Sequence, residues 1–258
     1  RDVVRAICDS MGKDFDKETG SVSKPKILIL DKNQADKLTK KLLKSSWKVG
    51  NVEQKPVTQN PYAPFITSTL QQEGIRQFKM SAQNVMRNAQ TLYENGYITY
   101  MRTDSVHLST EAISASRNAI KELYGGGFLP KSGIQYSSKV KNAQEAHEAI
   151  RPAGAKFSHP DILKNKLDKN QLKLYSLIWK RTLASQMMPA KIQRTTLCLS
   201  NGEHVFEARG KIILFPGFLK VYVEATENRK KQDDSELVLP NLKENDKLKC
   251  VELLGQYQ

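Results

Sequence analysis

Apolar residues recur along this chain with two different spacings, and the change from one to the other divides it. Lys26, Ile27, Leu28, Ile29 and Leu30 form a short apolar run that predicts a strand, and over residues 31–46 Ala35, Leu38, Leu42 and Leu43 fall on one helical face. Alternation resumes from Trp47 to Glu53, and Pro56, Pro61 and Pro64 place a boundary near residue 60. From there to about Met188 the spacing is helical. Thr67 or Ser68 is the expected cap of a helix through Leu70, Ile75 and Phe78; Ser81 caps a second with Val85, Met86, Ala89, Leu92 and Tyr93 on one face, ended by Gly96. Ser109 opens a third through Ile113, Ile120, Leu123 and Tyr124, closed by the Gly125-Gly126-Gly127 turn, and Asp168 opens a fourth through Leu172, Tyr175, Ile178, Trp179 and Leu183. Beyond these, residues 195–200 and 204–208, joined by Ser200-Asn201-Gly202, predict a hairpin, and residues 220–224 a further strand. Residues 228–236 are charged and lack apolar positions, as an exposed loop would. The expected fold class is α+β: a mostly helical domain over 60–189 inserted into a discontinuous β-rich domain made of 1–59 and 190–258.

Composition narrows the partners. The chain has 258 residues, 39% hydrophobic and 26% charged, enough apolar content for a real core, which excludes a disordered chain. No apolar run approaches the roughly 18 residues that span a bilayer, and the first residues have no secretory h-region. A net charge of +14 and a pI near 9.6 point to a polyanionic partner, nucleic acid ahead of an anionic membrane surface. Residues 60–189 carry 17 Lys and Arg against 9 Asp and Glu, so more than half of the excess lies on the helical block. Cys8, Cys198 and Cys250 are far apart and odd in number, which supports neither a zinc site nor a disulfide framework and fits a reducing compartment. The opening Arg1, without an obvious cap, reads as part of a longer chain. Gly125-Gly126-Gly127 lacks the spacing of a phosphate-cradling loop, so no ATP site is expected.

Two segments carry candidate chemistry. In Gly96-Tyr97-Ile98-Thr99-Tyr100-Met101-Arg102-Thr103-Asp104-Ser105, the residues 98–100 favour extended backbone, which puts Tyr100 at a strand-to-loop exit with Arg102 on the same side. A phenol titrates near pH 10 and is a weak nucleophile unless a cation stabilises charge on it or on its target, a role Arg102 suits for a phosphate. The plain alternative is a packed aromatic beside a surface arginine. In Gln144-Glu145-Ala146-His147-Glu148-Ala149-Ile150-Arg151-Pro152, His147 and Arg151 are four apart and would share a helical face that Pro152 ends, able together to bind a phosphate oxygen. A solvated ion-pair face involving Glu145 and Glu148 explains the same residues. His107, His159 and His204 read as surface or loop histidines.

These two segments, with Ala63-Pro64-Phe65-Ile66-Thr67-Ser68-Thr69-Leu70-Gln71-Gln72 before them, closely resemble motifs of the bacterial type IA DNA topoisomerase family. The likeness continues through residues 174–181, 184–187 and 208–210. The resemblance implies that Tyr100 is the nucleophile that becomes joined to a 5′ phosphate of single-stranded DNA, that Arg102 positions tyrosine and scissile phosphate, and that His147 contacts that phosphate. Thr103, Asp104, Ser105 and Arg151 fall on motif positions of support or DNA contact. It further implies ATP-independent relaxation of negatively supercoiled duplex DNA, a monomer working in the bacterial cytoplasm on the nucleoid, and Mg²⁺ held by a Toprim domain whose ligands lie outside this chain, so that these residues alone would be inactive. Two rivals remain. A tyrosine recombinase also uses Tyr, His and Arg, but there the tyrosine follows an H-x-x-R motif, and Tyr100 precedes His147. A non-catalytic single-strand-binding module is the other.

Overall fold

The computed structural model describes residues 32–137, 147–201, 204–223, 240 and 242–254. The predicted strand at 26–30, the loop at 228–236, Cys8, Glu145 and the Gly202 turn lie outside them. The described residues form two compact units, one containing residues 32–57, 192–214 and the C-terminal stretch, the other residues 58–191 and 215–223.

The first unit is built on a sheet. Helix α1 (Lys32–Leu43) is followed by strand β1 (Trp47–Gln59), and β2 (Ala190–Asn201), β3 (His204–Phe215) and the short β4 (Lys247–Leu248) complete a four-stranded sheet in the order β3-β2-β1-β4. β1 and β4 run antiparallel, Trp47 opposite Leu248 and Lys48 opposite Lys247. β2 buries Ala190 and Ile192 and then, one residue out of phase, Thr195, Leu197 and Leu199, two short runs of the period-two alternation of a strand. Leu42 of α1 joins Trp47, Val49, Leu197, Leu199 and Ala208 in one apolar cluster. Trp47 is fixed at both ends, its Nε1 donating to the Leu42 carbonyl at 3.0 Å and its ring edge-on to Phe206 at 5.0 Å. β1 runs straight through Pro56, the first of the three prolines that mark the boundary expected near residue 60. β4 pairs only with the first residues of β1, and an edge tolerates the missing N–H of proline.

The second unit is helical. α2 (Thr67–Phe78), α3 (Ala82–Glu94) and α5 (Lys169–Ser185) pack on one another, and α4 (Thr110–Tyr124) packs on α5. Local signals set most of their ends. Ser81 and Ser109 accept the backbone N–H of Asn84 and Ala112, and Asp168 accepts those of Asn170 and Gln171 while the Gln171 side chain returns to the Asp168 N–H. α3 buries Val85, Ala89 and Leu92, and α5 buries Leu174, Tyr175, Ile178 and Leu183, each large apolar side chain contributing about 1.5–3 kcal/mol. Gly74 lets α2 and α3 approach closely: a Cβ there would meet Val85 Cγ2 at 2.7 Å. Past the end of α5, the fully buried Gln186 amide pairs with both backbone groups of Ile134, at 2.9 and 2.8 Å.

Two expectations fail here. α2 is capped by Ile66, not Thr67 or Ser68; the Ile66 N–H is met by the Thr69 hydroxyl at 3.1 Å. Residues 220–223 form one helical turn, α6 (Lys220–Val223), not a strand. Phe218 and Val221, three apart, are both buried, which helical spacing allows and a strand would place on opposite faces. Gly217, at φ 49°, starts this turn against the Met188 and Pro189 carbonyls.

Candidate active site

Three stretches distant in sequence meet in the helical unit. Phe65 bridges antiparallel to Ile150, and Ile98 to Pro152. The segment from His147 to Ala153 is therefore extended, and the helix expected to align His147 with Arg151 does not form. Its backbone groups are committed to non-local partners: Ala149 N–H to the His107 carbonyl (2.8 Å), Ile150 N–H to Phe65 (2.9 Å) and Ala153 N–H to Tyr97 (2.9 Å). Thr99 closes the joint. Its hydroxyl donates to the Ala149 carbonyl at 2.7 Å and accepts the Arg151 N–H at 3.0 Å, while its own N–H reaches the Arg151 carbonyl at 2.9 Å.

The loop after Thr99 keeps the two-residue period of an extended chain without a partner strand. Tyr100, Arg102 and Asp104 are exposed; Met101, Thr103 and Ser105 between them are buried. Buried hydroxyls hold the loop in shape: Thr103 Oγ1 accepts the Ser105 N–H at 3.1 Å, and Ser105 Oγ accepts that of His107 at 3.2 Å. Thr67, the first residue of α2, anchors the loop from the other side. Its N–H donates to the Thr103 carbonyl (2.9 Å), its hydroxyl donates to the Met101 carbonyl (2.8 Å), and that oxygen accepts the Thr103 N–H (2.9 Å).

Ile66, Thr67, Ser68, Arg102, Thr103, Asp104 and His147 line a pocket of about 360 Å³. It opens at the first turn of α2, the positive end of a twelve-residue helix. Among the described residues Arg102 has no ion-pair partner, so its charge is available to a ligand. Tyr100 does not line the pocket; it stands two residues before Arg102 with 41% of its surface exposed, its ring edge-on to Tyr93 at 5.3 Å. Arg151 is apart from the pocket. Only 7% exposed, it forms a fork on Glu148, Nη2 to Oε2 at 2.7 Å and Nε to Oε2 at 3.1 Å, and Nη1 donates to the Pro152 carbonyl at 2.9 Å. The solvated ion-pair face weighed from sequence is thus replaced by an ion pair with its arginine buried. Burial raises the Glu148 pKa, but hydrogen bonds from Arg151 and from the Ser109 N–H (2.7 Å) outweigh it and hold the carboxyl below its ordinary value. Glu148 thereby ties the pocket's edge to the cap of α4.

Of the residues singled out from sequence, Arg102, Thr103, Asp104 and His147 come together, Tyr100 stands exposed beside them, and Ser105 and Arg151 serve the scaffold. Thr67 and Ser68 were expected as caps within the first motif stretch and given no role at the loop, and Tyr93 as part of an apolar face. Their link to the loop spans 34 residues for Thr67, a distance no local pattern reports. His159 caps a short turn through Asp161 and packs edge-on to Trp179 at 4.9 Å.

A family model described as DNA topoisomerase matches residues 4–256. Proteins named DNA topoisomerase 1 from Mycolicibacterium smegmatis and Synechococcus elongatus are 49% and 46% identical over 94% of this chain, and in each the match covers 27% of the relative. Among solved structures, full-length topoisomerase I from Thermotoga maritima matches 88% of this chain and 36% of that one, with a TM-score of 0.64 and 30% identity. The chain thus spans about a quarter of the length of these curated relatives.

Proposed function

The chain belongs to the bacterial type IA DNA topoisomerase family, and on that footing we propose that it carries the strand-cleaving tyrosine of an enzyme that relaxes negatively supercoiled DNA without ATP. The Tyr100 oxygen attacks a phosphodiester of a single strand; its bond to phosphorus forms as the P–O3′ bond breaks. The phenol loses its proton, the departing 3′ oxygen gains one, and the 5′ phosphate stays on the tyrosine. Attack by the 3′ hydroxyl reverses both changes, so the bond energy is conserved and no nucleotide is needed.

The observation that carries this reading is the pocket itself: Arg102 and His147, from segments 45 residues apart in number, converge at the positive end of α2, with an exposed tyrosine two residues before Arg102. Such a cation and helix terminus suit a phosphate and the charge that develops on it. Mg²⁺ is assigned in this reading to acidic side chains of a Toprim domain outside this chain, where it would supply charge stabilisation at the phosphate. In this reading the sheet unit acts as the hinge for strand passage, the enzyme works as a monomer on nucleoid DNA in the cytoplasm, and the 258 residues alone bind single strands without cutting them. Incubating the full-length enzyme with single-stranded DNA, denaturing it and mapping the linked residue tests the proposal. An adduct at Tyr100 is expected; binding without any adduct would favour the single-strand-binding module instead.

A further inference from the structure

Tyr62 is the most exposed large aromatic side chain among the described residues, at 65%. It is nevertheless held in place. The Arg181 guanidinium, reaching out from α5, lies 5.0 Å from its ring centroid and 4.4 Å from that of Phe65, so the cation contacts one exposed and one buried ring. Arg181 Nε is buried and meets no hydrogen-bond partner, and among the described residues no carboxylate forms an ion pair with it. The ring faces, not a counter-ion, hold this charge. Glu73, a carboxylate that senses the Arg181 charge as the Tyr136 and Tyr222 phenols also do, is already bound by Arg76 and Gln77.

This arrangement stiffens an aromatic surface that faces water. Phe65 is 1% exposed and its backbone bridges Ile150, so the stack rests on the scaffold that shapes the pocket. Tyr62 stands four residues before Ile66 in the pocket wall, a separation of at most about 14 Å for extended chain, within reach of a few nucleotides of single strand. A cation behind the ring and a polar phenol at its rim suit a nucleobase: flat, polar-edged and linked to an anionic backbone.

We propose that the outer face of Tyr62 is a stacking platform for one unpaired base of a DNA strand whose phosphate occupies the Arg102–His147 pocket. The proposal rests on the single-strand reading above and adds a contact to bases, which carry no charge. Binding of a short fluorescent single-stranded oligonucleotide to the full-length enzyme, measured across a salt series, tests it. Tyr62→Leu weakens binding roughly 5- to 150-fold with the log–log salt slope unchanged, since no phosphate contact is lost, and Tyr62→Phe binds like the parent. An abasic site moved along the oligonucleotide weakens the parent at one position and has no effect there on Tyr62→Leu. Parent-like binding by Tyr62→Leu, a changed slope, or an abasic scan without a sensitive position would each overturn the platform alone. Failure of the parent to bind single strands would overturn the underlying reading as well.

Discussion

Two irregular segments, residues 100–105 and 147–153, are linked through Thr99 and His107 on either side of the first; each carries an arginine, and the two arginines have opposite fates. Arg102 is exposed at the pocket with no ion-pair partner among the described residues, whereas Arg151 is buried, with Glu148 and a carbonyl occupying its fork. The difference lies in the backbone. The loop places alternate residues outward and satisfies itself with buried hydroxyls, while the second segment gives its N–H groups to three other stretches and draws its arginine in with them. Charge beside a motif therefore says little about availability until its partners are counted.

The largest expected effect lies on the loop. Tyr100→Phe in the full-length enzyme removes the nucleophilic oxygen and keeps the ring against Tyr93, so covalent DNA adduct disappears while single-strand affinity stays near the parent's; a persistent adduct on a denaturing gel would remove Tyr100 from its role. Next, Arg102→Ala slows cleavage by about 10²–10³-fold, the loss typical of one preorganised donor, yet shifts unfolding by no more than about 0.5 kcal/mol. Arg151→Ala does the reverse: it strands Glu148 and destabilises the helical unit by about 3 kcal/mol, read as a drop of several degrees in Tm. Arg151→Lys recovers little of this because a single ammonium cannot reproduce the fork. Should the two alanine variants show the same balance of rate and stability loss, the contrast between the segments collapses.

The smallest effect concerns pH. The folded-state pKa of Glu148 lies below its ordinary 4.5, so its contribution to stability is complete above that value and is lost as pH falls through the folded pKa. Glu148→Gln should lower Tm near neutrality and flatten its decline below about pH 4.5 relative to the parent; an unchanged acid limb would mean that the Arg151 pair adds nothing to stability.

What could be read from sequence was local. Ser81, Ser109 and Asp168 announce their helices because a cap and the turn it serves lie within three residues, and Leu197 and Leu199 announce β2 because strand period is short. The 147–152 segment was misread for the converse reason. Its four-residue spacing of His147 and Arg151 is genuine, but the hydrogen bonds that keep it extended come from Phe65, Thr99 and His107, and no window of neighbours contains them. The strand expected at 220–224 fails similarly: Val221 and Val223 favour extension, while burial of Phe218 with Val221 demands a turn of helix. For the site, residue types pointed to Tyr100, Arg102, His147 and Arg151. That Arg151 is enclosed and Thr67 is a clasp depends on contacts that only folding creates.

Gly74 acts as a gauge block. α2 begins at the pocket and clasps the loop through Thr67, α3 ends just before that loop with Tyr93 against Tyr100, and the gap between the helices is set where Gly74 rides on Val85. One added methyl would be a wedge driven between two arms whose tips are already fastened together. The buried Val85 would have to give way first, and any shift of α2 or α3 that relieved it would be carried along the helices to the loop both of them hold.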